Sequence, residues 1–284
     1  MEVIAAPAEL HEAMERVRAG RRTVGFVPTM GSFHEGHVSL MRRARGERDV
    51  VAVSIFVNPL QFGPGEDLGS YPRDLESDLA RAKSEGADVV FVPEVGDMYP
   101  GGTPAVTVDP GPLGTRLEGA SRPGHFRGVL TVVAKLFHLV GPSAAYFGEK
   151  DAQQLAVIRR MVNDLSFAVD VVACPIVREP DGLALSSRNV YLSADERAAA
   201  TCLFRALQEA QAAAAGGERD AGRLTARMES VVRTEPLADL EYSTVVDEET
   251  FEEIELLERP ARALVAARVG KPRLIDNLRL DPDG

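Results

Sequence analysis

Two imidazoles three positions apart, His34 and His37, enclose Glu35 and Gly36. An apolar run and a turn, residues 24–31, come just before them, and Val38-Ser39-Leu40-Met41 after them reads as helix. The pair therefore stands at or near the N-terminus of a helix that follows a strand. Unpaired backbone N–H groups and the positive end of the helix dipole suit that place to a phosphate. Imidazoles there donate to phosphate oxygens and offset charge as a phosphoryl or adenylyl group transfers. Gly36 favours close approach of a ligand to the backbone. Two other readings stay open on these residues alone: surface histidines, and half of a zinc site, for which no nearby Cys or His completes the tetrahedron.

Other segments put polar groups where strand-like runs end. Asn58 and Gln61 supply amide donors and acceptors that can read hydroxyls and a carboxylate; the competing reading is turn capping. In Gly148-Glu149-Lys150-Asp151, Gly148 allows a backbone approach and Lys150 neutralises phosphate. Asp151 caps the following helix, or holds a ribose hydroxyl or a metal-bound water, and Gln154 lies one turn further on. Leu185-Ser186-Ser187-Arg188 places two hydroxyls and a guanidinium on a loop, a set suited to a triphosphate and to closing over a substrate. A plain polar connection between domains has the same composition. For His125 and Arg127, in Arg122-Pro123-Gly124-His125-Phe126-Arg127-Gly128, a structural part and a phosphate contact weigh evenly.

The elements that must hold these groups alternate. Strand-like runs at 23–28, 50–57, 89–93, 105–108, 144–147 and 169–173 are separated by helical patterns at 7–19, 37–45, 75–85, 128–140 and 153–165. That order predicts an α/β fold, a parallel sheet with helices on both faces, whose ligands bind beyond the carboxyl ends of the strands. After a cluster of Pro175, Pro180 and Gly182 the pattern changes: an Ala-rich helix over 193–215, a helix over 221–234, then runs at 240–246, 263–269 and 273–280 that read as a short antiparallel sheet. Two domains are expected, 1–175 and a smaller α+β domain, 176–284.

The formal net charge of −11 speaks against a large nucleic-acid surface but not against a small anionic substrate held by local cations. No apolar run reaches the roughly 18 residues a membrane span needs. Met1-Glu2-Val3-Ile4 lacks the basic start and long apolar core of a signal peptide. Cys174 and Cys202 make neither a disulfide framework nor a CxxC zinc spacing. A reducing cytoplasm is the expected compartment.

Four segments in this order resemble the pantoate–β-alanine ligase family. They are Pro28-Thr29-Met30-Gly31-Ser32-Phe33-His34-Glu35-Gly36-His37, Asn58-Pro59-Leu60-Gln61-Phe62, Phe147-Gly148-Glu149-Lys150-Asp151-Ala152-Gln153-Gln154 and Leu185-Ser186-Ser187-Arg188-Asn189. Tyr71-Pro72-Arg73 and His125-Phe126-Arg127-Gly128-Val129 also fit. The family lies in the nucleotidyltransferase superfamily named for its HIGH motif, which His34-Glu35-Gly36-His37 resembles; Ser186–Arg188 resembles the counterpart of the KMSKS loop. Leu185 and Phe33 depart from the usual Met and Leu, both apolar exchanges of similar size.

The resemblance implies a Rossmann-like amino-terminal domain, a small carboxy-terminal lid and a homodimer that uses ATP with Mg²⁺. It implies condensation of pantoate with β-alanine through a pantoyl adenylate, on the way to coenzyme A. Carried over by position, Met30, Gly31, Ser32, Phe33, His34, Glu35, Gly36 and His37 would line the ATP site. So would Gly148, Glu149, Lys150, Asp151, Val177, Leu185, Ser186, Ser187 and Arg188. Catalytic roles would fall on His37 as proton donor, and on His34, Lys150 and Arg188. Gln61 and Gln154, with Asn58, would hold substrate, and Asp78 would touch the metal. The rival readings are an adenylyltransferase of the same superfamily acting on a nucleotide or phosphopantetheine, and a nucleotide sensor without activity.

Overall fold

The computed structural model describes residues 1–282; positions 283 and 284, the end of the expected second domain, lie outside them. Two units divide the chain: Met1–Glu149 with Gln153–Pro175, and Lys150–Ala152 with the residues from Ile176 onward.

The first unit runs β1 (Glu2–Ile4), α1 (Pro7–Ala19), β2 (Val24–Thr29), α2 (Glu35–Glu47), β3 (Val50–Ile55), α3 (Leu75–Ser84), β4 (Val89–Phe91), α4 (Val95–Met98), α5 (Glu118–Ser121), α6 (His125–Val140), β5 (Ser143–Gly148), α7 (Ala152–Asp164) and β6 (Val169–Cys174). Its strands form one parallel sheet in the order β1-β4-β3-β2-β5-β6. Successive strand residues point to opposite faces, so Phe26 and Val27 enter different cores. Phe26, Ala52, Ala145 and Phe147 pack with α1, α6 and α7; Val27, Val51, Val53 and Tyr146 pack with α2 and α3. Every residue of β3 is buried, the mark of a strand covered on both sides. The expected class, a parallel sheet with helices on both faces, is what forms.

Two local expectations fail. Residues 105–108 form no strand; Val106 is 85% exposed, and the Val108 amide donates to Thr131 Oγ1 instead of to a sheet neighbour. β1 is a strand the sequence does not announce, because three residues on a sheet edge are too few to show an alternation.

The second unit carries α8 (Ala194–Ala199), α9 (Cys202–Ala215), α10 (Ala221–Arg233) and an antiparallel sheet in the order β7 (Ala238–Asp247), β8 (Ala261–Val269), β9 (Arg273–Leu280). The expected single helix over 193–215 is two, interrupted at Ala200 and Thr201. Alanines bring α9 close to the sheet: Ala206, Ala210 and Ala214 share a core with Ala263, Val265 and Ala267. Among the described residues no helix is long and apolar enough to cross a membrane.

Candidate active site

Strands β2 and β5 are neighbours only at their start. Gly25 and Phe26 pair with Ala144 and Ala145, and no pairing follows. β2 continues with β3 as far as Thr29 and Ile55, and β5 continues with β6 as far as Gly148 and Cys174. Pro28, which has no N–H to give, sits in β2 beyond the last pairing with β5. The sheet order also reverses here, since β3 lies on one side of β2 and β5 on the other. A crevice at the carboxyl ends of such strands is where an α/β sheet takes its ligand.

The loop leaving β2 is held in an unusual backbone. Gly31 has φ +83 and Ser32 φ +53. A Cβ at Gly31 would stand 2.8 Å from Asp78 Oδ2, on top of the left-handed φ, so only glycine fits. The Asp78 carboxylate, 4% exposed, accepts the Ser32 amide on one oxygen and the Phe33 amide on the other, each at 2.7 Å. Thr29 Oγ1 donates to Ser54 O at 2.7 Å and accepts the Gly31 amide at 3.2 Å.

His34 then caps α2. Its Nδ1 accepts the Gly36 amide at 3.1 Å, and His37 Nδ1 faces the His34 amide at 3.4 Å. With Nδ1 an acceptor, each neutral ring carries its proton on Nε2, the nitrogen able to donate. The ring centroids are 4.2 Å apart, and Phe33 backs His37 at 5.6 Å. The Glu35 side chain belongs to a surface network with Arg42 and with Arg81 at 3.1 Å.

Gln61 and Met30 meet: Gln61 Nε2 is 2.9 Å from Met30 Sδ. Asn58 is another matter. It is 1% exposed, and its amide nitrogen donates to Gly128 O at 3.1 Å and to Gln61 Oε1 at 3.2 Å. Its oxygen accepts Tyr99 Oη at 2.9 Å and the Leu60 amide at 3.3 Å. All four of its hydrogen-bonding positions are filled by protein. The expected direct substrate contact is therefore replaced by support of Gln61. Burial pushes the Tyr99 phenol up, which keeps it the donor in that bond.

The adjacent glutamines of α7 separate. Gln154 is half-buried, whereas Gln153 is 4% exposed and holds Leu113 O, Arg116 O and the Glu118 amide.

Gly148 and Glu149 belong to the first unit, and Lys150, Asp151, Val177 and residues 185–188 to the second. Lys150 lies 3.5 Å from Asp151, and its carbonyl accepts Asn277 Nδ2 of β9 at 2.9 Å. Arg262 orients that amide through Asn277 Oδ1 at 2.7 Å. The Leu185 amide donates to Val177 O at 3.0 Å, closing a narrow turn. Arg178 within it makes a bidentate pair with Asp276 at 2.6 and 2.9 Å, donates to Gly182 O and stacks 4.0 Å from the Phe204 ring. Burial pushes the Asp276 carboxyl up, against the pull of Arg178. Ser186 caps the 3₁₀ turn Ser187–Tyr191 by accepting the Arg188 amide at 3.3 Å. The pair of Arg178 and Asp276 escapes a sequence reading, because the strand that holds Asp276 also carries Arg273, Asn277 and Arg279 and so does not mark it out.

Asp78, the residue expected to touch the metal, has one amide on each carboxylate oxygen and so also holds the turn at Ser32 and Phe33. No group of three His, Cys, Asp or Glu that could hold a metal ion occurs among the described residues.

A family model described as pantoate-beta-alanine ligase matches residues 2–279. A pantothenate synthetase of Rubrobacter xylanophilus is 56% identical over 98% of both chains, and one of Roseiflexus sp. is 55% identical over 99% of this chain and 100% of its own. Among solved structures, pantothenate synthetase from Thermus thermophilus matches with a TM-score of 0.92 at 50% identity, covering 98% of this chain and 99% of that one. The pantoate-beta-alanine ligase of Francisella tularensis, complexed with beta-gamma ATP and beta-alanine, matches with a TM-score of 0.81 at 35% identity, covering 98% and 97%. With that likeness running through both units of the fold, the chain belongs to the pantoate–β-alanine ligase family.

Proposed function

We propose that the crevice beyond β2 and β5 activates pantoate with ATP. The chain is a ligase of its family: it condenses pantoate with β-alanine in an ATP-dependent reaction. The observation that carries the site reading is the His34–His37 pair, 4.2 Å apart at the N-terminus of α2, each with Nδ1 taken by a backbone amide.

In the first step a pantoate carboxylate oxygen bonds to the α-phosphorus of ATP as the bond to pyrophosphate breaks. In the second the β-alanine amine bonds to the activated acyl carbon, and AMP leaves. A carboxylate needs no base to attack, so the first step depends on position and charge. His37 and His34 donate through Nε2 to phosphate oxygens, His37 as the proton donor, and Lys150 and Arg188 bring cationic charge. Met30–Phe33, the backbone of Glu35 and Gly36, and Gly148–Asp151 line the nucleotide, with Val177 and Leu185–Ser187 in the second unit, which serves as a lid. Gln61 and Gln154 hold pantoate through its hydroxyls and carboxylate, and Gln61 also lies near β-alanine.

Mg²⁺ enters this reading with the nucleotide's phosphates, in keeping with the lack of a three-ligand His, Cys, Asp or Glu group among the described residues. The amide contacts of Asp78 support a loop-holding part. We place the protein in the cytoplasm as a homodimer; the buried, unbridged Cys174 and Cys202 support the compartment, and the family likeness supports the dimer. Pantoate- and β-alanine-dependent release of AMP tests the reaction. Release driven by another acceptor would favour a different adenylyltransferase, and nucleotide binding without turnover a sensor.

A further inference from the structure

The turn that carries Gln61 is fastened by three groups outside the site described above. His125, in the first turn of α6, is 9% exposed, and its Nδ1 lies 2.8 Å from Gln61 O. A ring nitrogen that faces a carbonyl is the one that bears the hydrogen. Nε2 is then an acceptor, and Arg122 Nη1 donates to it at 3.0 Å. The same guanidinium grips both oxygens of Glu66, at 2.9 and 2.6 Å, and reaches Gln61 O at 3.3 Å. Gly128 lets the helix come this close, for a Cβ there would stand 2.1 Å from Leu60 O.

We propose that His125, Arg122 and Glu66 form a latch that positions Gln61 for pantoate. Neutral His125 fixes the carbonyl of the turn, Arg122 fixes the tautomer of His125, and Glu66 orients Arg122 while tying down the segment that follows Gln61. The inference rests on Gln61 being a pantoate contact. All three are positioning residues; none touches substrate.

The charged groups around the ring are Arg122, Glu66 and Glu118. Burial and the Arg122 charge bring His125 down to about 4, against the Gln61 carbonyl, Glu66 and Glu118, which pull it up. For Glu66, burial pushes the carboxyl up, but the hydrogen bond and charge of Arg122 bring the balance below the usual range. A proton on His125 Nε2 would face an Arg122 N–H, so charging the ring opens the latch.

The test varies pantoate and ATP separately in E66Q, R122M, H125A, H125N and Q61A, with thermal melting of each. E66Q, R122M and H125A are expected to raise KM for pantoate about tenfold while KM for ATP stays within about twofold. H125N, whose amide can donate from the place of Nδ1, should recover most of the loss. Two KM values that rise together, or an H125N no better than H125A, would overturn the latch. If R122M does not fold, E66Q carries the same KM comparison. An unimpaired Q61A would remove the pocket reading and the latch with it; an impaired Q61A beside unimpaired E66Q and H125A would remove the latch alone.

Discussion

Asp78 accepts the backbone amide of Ser32 at 2.7 Å, across 46 positions of chain. Its other oxygen takes the Phe33 amide, so one carboxylate holds the left-handed turn that aims His34 and His37. In D78N the new NH₂ faces an N–H donor. We expect pantoate-dependent pyrophosphate exchange to fall on the order of 10²-fold, as a displacement near 1 Å does. Stability should fall by about 1–3 kcal/mol in urea unfolding, for an amide left without its acceptor. Exchange at the wild-type rate would take Asp78 out of the site's support.

His34 caps α2 and, in the proposed site, also donates to phosphate; two substitutions separate these. H34A removes the acceptor of the Gly36 amide and should cost about 1 kcal/mol of stability. H34N keeps a strong cap and should be as stable as the parent. Both, like H37A, should slow exchange by on the order of 10². An active H34N would mean that His34 only caps.

Asn58 and Gln61, three residues apart, should answer differently. N58A strands Tyr99 Oη in the interior and leaves a cavity, so we expect a loss of roughly 2–4 kcal/mol, read by urea unfolding. Q61A should melt near the wild-type temperature and bind pantoate worse, by isothermal titration. A Q61A that binds pantoate normally would count against the pocket.

His125 also predicts an acid sensitivity. The ring titrates near its ordinary 6.5 in the unfolded chain but stays neutral to about 4 in the folded one. Between those values the unfolded state binds more protons, so stability falls as pH drops from 6.5 to about 4 and levels off below. The full loss is roughly 3 kcal/mol. Urea unfolding at pH 7 and pH 4.5 should show a smaller acid loss in H125Q than in wild type. Equal losses would mean that His125 titrates normally in the fold.

Much of the architecture could be read in advance because it is written at short range. The apolar run over 50–55 becomes the wholly buried β3, and Pro7 and Gly20 bracket α1. The stretch at 105–108 misled because an apolar pair in a loop has the composition of a strand, while only a sheet neighbour makes it one. Asn58 misled because a polar residue at a strand end looks the same whether a ligand or Tyr99 satisfies it.

The spacing of His34 and His37, the alternation of strand and helix, and the charges at strand ends belong to the sequence alone, since each depends on neighbours within a few residues. Tertiary structure decided which polar groups are satisfied by protein. Asp78 with Ser32, Arg122 with Glu66 and Arg178 with Asp276 lie 46, 56 and 98 positions apart. A buried donor or acceptor must find a partner, but the chain does not mark from how far away that partner will come.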